Sequence, residues 1–464
     1  MSARPLEADR VTPYLAFLFL LLSTATLFDG FDAAMISFAA PDVRATLGID
    51  LADWGLISGI TRMGVMASFV FLFFADRVGR RAVMLLTVVG FTVANGATAL
   101  VTDQVQFTVL QFFARLFLTA EYSLAIIMIG EEFPARLRGR AIAILTSLAT
   151  VGVMLMAKVQ PYILIPEGAE GNWLSDFGHG MVSITQGLFG LAADGQSWRA
   201  LYALGLVPLV LVLVLRIAMR ETRRFDAARE QKQAAVKRTW RDLAREAALP
   251  WRPEYRRRSA IVALLWNSVF IVTGPSTVFW VIFAREQIGL TPHQVGDIVF
   301  WGYGGGVAGH FVAGWLIDRI GRKYTCAGFY VFAAVAIFLL YHVPSLTGQY
   351  VWMIMTVFCF AAANTSTHVY ASELFPTEIR ATGYGWTTNL AGRVTEVVTP
   401  ILIGFLIAPL GIPGAIAVVA IGPVLGALMV LRWAPETRGL TLEQIETELH
   451  VSLPPGPRRE RAGS

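Results

Sequence analysis

Twelve stretches of the chain are almost continuously apolar: residues 14–40, 54–74, 82–101, 105–130, 141–164, 198–219, 259–283, 294–317, 324–342, 349–370, 382–408 and 411–433. Each has roughly twenty residues or more, enough to cross a hydrocarbon core of about 30 Å as a helix. The apolar positions run on without the alternation of a half-wet strand, so the predicted element is helical. In lipid only helices and closed barrels satisfy every backbone polar group, which leaves helices here. The pattern predicts an all-α polytopic membrane protein with twelve transmembrane helices in two pseudo-symmetric six-helix halves. The boundaries are residues 1–219 for the first bundle, 220–258 for a cytoplasmic linker, 259–433 for the second bundle and 434–464 for a cytoplasmic tail.

Composition points the same way. With 464 residues, 15% charged residues and a mean hydropathy of +0.58, there is too little charge to cover a soluble protein of this size. The first apolar stretch is too long for a secretory leader and no small-residue cleavage site follows it. Cys326 and Cys359 both fall inside apolar stretches and read as small buried hydrophobes rather than a disulfide or metal ligands. There is no metal-spaced His/Cys cluster and no phosphate-binding glycine loop, so neither a metal site nor an enzyme is expected. Gly304, Gly305 and Gly306 lie inside the eighth stretch and read as close helix packing.

Charge sets the orientation. Arg44, Arg199 and Arg285 are the only basic residues on one side, and Arg62, Arg115, Lys158 and Arg393 lie within stretches. The other Lys and Arg residues gather on the side that holds both termini. The positive-inside rule then places both termini in the cytoplasm, in an inner or plasma membrane. The formal charge of +5 is accounted for by contact with anionic lipid and gives no reason to expect nucleic acid.

The chain also repeats itself. FADRVGRR around Asp76 matches LIDRIGRK around Asp318, 242 residues on. Glu131, Phe133, Pro134 and Arg138 match Glu373, Phe375, Pro376 and Arg380 at the same offset. Two motifs in one register imply a tandem duplication of a six-helix unit, a parallel repeat about an axis along the membrane normal. Downstream, Glu221 of RETRR and Glu436 of PETRG are only 215 apart, so the first half carries 27 extra residues. The segment 165–197, on the external side, is the place for them and reads as a tolerated loop insertion.

These motifs resemble the major facilitator superfamily. The second copy fits its loop pattern from Gly314 to Lys323, while the first has Leu72 in place of the leading glycine. Within that resemblance, LFDGFDAAMISFAAP in the first stretch is similar to the Asp-Gly-x-Asp signature of aromatic-acid/proton symporters. It also resembles the first-helix Asp of sugar porters, whose paired glutamines the seventh stretch lacks. The resemblance implies alternating access, and it implies a conformational latch at the cytoplasmic loops, formed by Asp76, Arg77, Arg80, Arg81, Arg138, Asp318, Arg319, Arg322 and Arg380. There the two aspartates are expected to pair with Arg138 or Arg380 and with a helix N-terminus.

Ionisable residues inside a span cost at least about 2.5–3.5 kcal/mol at mid-depth, so they face a cavity or a partner. The acids are Asp29, Asp32, Glu121 and Glu396, and the bases are Arg62, Arg115, Lys158 and Arg393. Asp29 lies roughly 22 Å from the inner end of its span, and Arg62 and Arg115 lie roughly 12 and 15 Å from the outer ends of theirs. These levels nearly coincide, and Asp29 and Asp32 share a helix face. Two close carboxylates in a low dielectric compete for charge, so one can load and release a proton. Asp29, Asp32 and Arg115 are therefore the expected proton-coupling residues. In sugar porters the first-helix Asp and fourth-helix Arg form such a pair, and Asp32 and Arg115 occupy those motif positions. Arg62, Asn267, Asn364, His368, Asn389, Arg393 and Glu396 are the expected substrate-binding residues, with Arg393 and Glu396 forming an intrahelical pair. Lys158 is expected to snorkel outward.

The expected function is proton-coupled symport of a small aromatic or aliphatic organic acid, by a monomer, with the proton as coupling ion and no other cofactor. A sugar or polyol carrier and a drug or metabolite efflux antiporter are the alternatives.

Overall fold

The computed structural model describes residues 12–165, 171–189, 196–217, 248–274, 278–375, 380–440 and 444, and every regular element among them is helical. Most of the linker and most of the tail lie outside the described residues.

The first crossing, α1 (Pro13–Leu47), is about 50 Å long at 1.5 Å per residue. It starts where the Thr12 hydroxyl accepts from Leu15 N and Pro13 needs no donor, and it ends at Gly48 in a left-handed turn. The second crossing is α2 (Leu51–Ala67), capped by Asp50, continued after a break by α3 (Phe69–Val78). Then come α4 (Arg80–Thr98), α5 (Gln104–Glu132), capped by Asp103, and α6 (Ala135–Val159). The sixth crossing, α8 (Gln196–Ile217), follows an extra helix, α7 (Trp173–Phe189).

In the second half, α9 (Arg256–Gly274), α10 (Trp280–Ile282) and a π-helical segment, Phe283–Ile288, make the seventh crossing. They are followed by α11 (Pro292–Ile320), α12 (Arg322–His342) and α13 (Leu346–Glu373). The last two crossings are built from α14 (Arg380–Asn389), α15 (Val394–Val419) and α16 (Ile421–Trp433). A turn at Gly411, φ 68°, lies inside α15 and separates the eleventh crossing from the twelfth. The described helices thus group into twelve membrane crossings. Large apolar side chains such as Phe311 (76% exposed) and Phe405 (70%) point outward, as lipid contact requires.

The insertion in segment 165–197 is more than a loop. α7 packs on α8, with Gly178 against Ala200 and Leu204, and Leu174, Met181 and Val182 joining the core. Asn172 ties its start to the Tyr162 carbonyl at the end of the fifth crossing, at 2.8 Å.

The duplication is reproduced in three dimensions. Gly79 and Gly321, 242 apart, both take a positive φ, 116° and 98°, at the tight turn between consecutive crossings. Arg80 reaches Glu131 at 2.9 Å, and its counterpart Arg322 reaches Glu373 at 3.0 Å. Both of these ion pairs stay within one half.

At the opposite face the halves touch. α2 and α15 meet backbone to backbone: a Cβ on Gly55 would lie 2.5 Å from the Pro400 carbonyl oxygen, and one on Gly404 would lie 2.6 Å from that of Ala52. Arg44 at the end of α1 pairs with Glu286 of the π segment at 2.5 Å. Arg285 grips Asp42 with two contacts, at 2.5 and 3.2 Å. Lys158 of α6 pairs with Asp297 of α11, and Gln160 donates to the Pro292 carbonyl at 2.7 Å. These contacts close the molecule at this face.

Candidate functional site

Beneath that closure, residues from both halves converge at mid-span. On the first-half side α1 buries Asp29 and Asp32. Neither Asp32 oxygen has a hydrogen-bond partner among the described residues. Asn95 and Gly205 line its pocket, a Cβ at Gly205 coming 3.3 Å from Asp32 Oδ1 and 3.4 Å from Asn95 Nδ2. Arg115 of α5 lies within electrostatic range of Asp32 but does not pair with it. Instead its Nη2 donates to the Ala33 carbonyl at 2.7 Å, which fixes the guanidinium beside α1. Glu121 is buried within range of Asp32, and Tyr122 lies within range of both Asp29 and Arg393.

Arg62 finds its partner in the other half. Its Nη1 crosses to the second half and meets buried Glu396 at 2.7 Å. Arg393 meets the other oxygen of Glu396 at 2.6 Å, so the intrahelical pair forms and Glu396 is bridged twice. Arg62 and Arg115 both line a small pocket, with Ser37, Ser58 and Thr61, that has room for about one water molecule.

The second-half wall is aromatic. Trp266 and Phe270 of α9 stack at 5.4 Å, and the Arg393 guanidinium sits 4.6 Å from the Phe270 ring centre. His368 of α13 meets Trp266 edge-on at 4.5 Å and hydrogen-bonds through Nδ1 to the Tyr384 hydroxyl. His368, near the end of α13, is exposed although it sits beside fully buried Trp266. His310 bonds to Thr365 at 2.6 Å, and Asn364 and Asn389 are half-buried. Trp386 meets Phe69 of the first half at 5.8 Å. Trp280 is core, bonded to Gln349 at 2.8 Å, and Trp301 is exposed.

Three expectations are corrected. Asn267 is not available to a substrate. Its amide donates to the Ala263 and Ala391 carbonyls, both at 2.8 Å, and its oxygen accepts from Thr395 N at 2.9 Å, bracing the break between α14 and α15. Lys158 does not snorkel; it pairs with Asp297 across the halves.

In the second-half loop, Asp318 does not make the expected pairing in this conformation. Its side chain is 79% exposed and, among the described residues, reaches Arg322 at 3.6 Å. Among the described residues, Glu131, Glu373 and Glu436 are carboxylates that hold this region. Glu436 of PETRG caps the start of α12 by accepting from Arg322 N at 3.0 Å and Lys323 N at 3.2 Å, and Thr437 donates to Glu373 at 2.6 Å. Arg319 lies over Trp315 at 4.2 Å, and Arg81 is half-buried. The side chains of Asp76, Arg77, Arg138 and Arg380 lie outside the described residues.

The charged quartet Asp42, Arg44, Arg285 and Glu286 is absent from the sequence reading, which used Arg44 and Arg285 only to orient the chain. The signal was present: Arg44 and Glu286 stand 242 apart, the repeat offset itself.

Twelve crossings, a duplicated six-helix unit and a polar site between the halves are matched by a family model. The Major Facilitator Superfamily model matches residues 22–394 and 265–460. The chain belongs to this superfamily. Like its relatives, this superfamily member is a multi-pass membrane transporter and not an enzyme. It is 25% identical to a putative niacin/nicotinamide transporter of Bacillus subtilis, over 90% of this chain and 95% of that one. It is also 25% identical to a gallate transporter of Pseudomonas putida, over 91% and 92%. Among solved structures, a bacterial homolog of the human lysosomal transporter Spinster matches with a TM-score of 0.72 at 16% identity, over 91% of this chain and 97% of that one. The xylose transporter of E. coli matches with a TM-score of 0.70 at 18% identity, over 94% and 100%.

Proposed function

We propose that this transporter imports a small organic acid, aromatic or aliphatic, together with a proton, by alternating access. It works in an inner or plasma membrane with both termini cytoplasmic, and the single chain suffices. One observation carries the reading. Asp32 is buried mid-span with no hydrogen-bond partner for either oxygen among the described residues, and Arg115 stands beside it. An unpartnered carboxylate in a low dielectric is costly when charged, so taking up a proton relieves it. Once Asp32 is neutral, Arg115 loses a compensating charge and becomes a better partner for a substrate carboxylate. Asp29, one helix turn away, is the second proton-coupling residue. Relatives named for niacin and gallate transport support an organic acid as substrate. In this reading the closed face is the external gate, which opens to load substrate.

The test is proton movement into liposomes holding the purified protein and a trapped pH dye. Acidification on adding a benzoate, above that of empty liposomes and abolished by Asp32→Asn, is the expected result. The variant should still exchange labelled substrate. Uphill uptake at the wild-type rate in Asp32→Asn would remove Asp32 from coupling.

A further inference from the structure

We infer that Glu396 is a resident stand-in for the substrate's carboxylate, which an aromatic acid displaces from Arg393 while laying its ring against His368 and Tyr384. This rests on the organic-acid reading above and names the ligand chemistry and the exchange. Glu396 is buried and gripped from two sides, by Arg62 of the first half at 2.7 Å and by Arg393 of its own helix at 2.6 Å. Two guanidinium groups share this one carboxylate, so a second carboxylate on Arg393 gives each guanidinium an anionic partner of its own. Arg393 Nε and Trp266 Nε1 are buried donors without a partner among the described residues. A guanidinium fork needs two N–H groups to hold a carboxylate, and Nε is already free for one of them.

The wall beside the fork suits a ring. Phe270 holds the Arg393 guanidinium from one face and is itself stacked on Trp266. Exposed His368, set edge-on against Trp266 and bonded to Tyr384, presents a flat π surface within electrostatic range of Arg393. The exchange has a mechanical consequence. Arg62–Glu396 ties one half to the other, so a substrate that frees the Arg393 arm of Glu396 acts on the carboxylate that carries this tie.

The experiment is calorimetric binding to full-length protein in nanodiscs, with benzoate and nicotinate as probes and the neutral amide of whichever acid binds as control. Glu396→Gln, which removes the competitor, should tighten acid binding about tenfold, and Arg393→Lys, which loses the fork, should weaken it about tenfold or more. Neither should move the amide. A monodisperse size-exclusion peak for each variant separates a binding loss from a folding loss. Wild-type acid affinity in both variants would overturn the exchange and leave the organic-acid reading standing. Failure of the wild type to bind either acid would overturn both.

Discussion

Asn267 and Arg62 mark the limit of reading single residues along a chain. An amide in an apolar span is visible in the sequence, but whether its hydrogens face a cavity or a carbonyl depends on what the neighbouring helix does. Here α14 and α15 break beside it, and Asn267 takes up the backbone groups that the break releases. Replacing it with alanine orphans buried backbone groups, at a cost on the order of 3 kcal/mol. Asn267→Ala should therefore lower the melting temperature followed by tryptophan fluorescence, while the folded fraction keeps wild-type acid affinity. An unchanged melting temperature would refute the bracing role. For Arg62, counting residues from a span end put it near the level of Arg115, and the two line one pocket. Depth says nothing of azimuth, so its partner, 334 residues away in the other half, was not legible.

Elements were more legible than contacts, because length and apolar content decide whether a segment crosses lipid. The helix inserted before the sixth crossing is hard to foresee because it lies in a segment interrupted by glycines and acids. Its apolar positions, Trp173, Leu174, Phe177, Met181, Val182 and Ile184, fall at helical spacing and held the signal. The pairing of α2 with α15 was not readable, since it needs two glycines from opposite halves to face each other. It makes a clear prediction. Gly404→Val inserts a branched side chain where backbone atoms already touch. Overpacking of this kind costs about 1–3 kcal/mol, enough to favour the open far face about tenfold. Reaction of a water-soluble maleimide with Ser58→Cys should speed up accordingly, with Cys326 and Cys359 silent because they are buried. An unchanged rate would mean that this contact does not hold the face closed.

For the molecule as a whole, closure of the far face is shared among ion pairs that link the halves. Arg44→Glu sets two anions against each other at Glu286 and should raise far-face accessibility, read by the same maleimide assay. Adding Glu286→Arg restores an ion pair with the charges exchanged and should recover closure. The coupling between the two substitutions should be about 1 kcal/mol, in keeping with a partly exposed pair. Additive effects would show that the pair contributes no specific contact.

Arg44 and Glu286 occupy the same place in the two repeats and face each other. Two identical copies of the first half, docked in the same way, would set arginine against arginine, and two copies of the second would set glutamate against glutamate. The present halves are therefore matched to each other as lock and key. Expressed as separate polypeptides, they should assemble as a heterodimer and reject self-pairing, an asymmetry confined to the face where they meet.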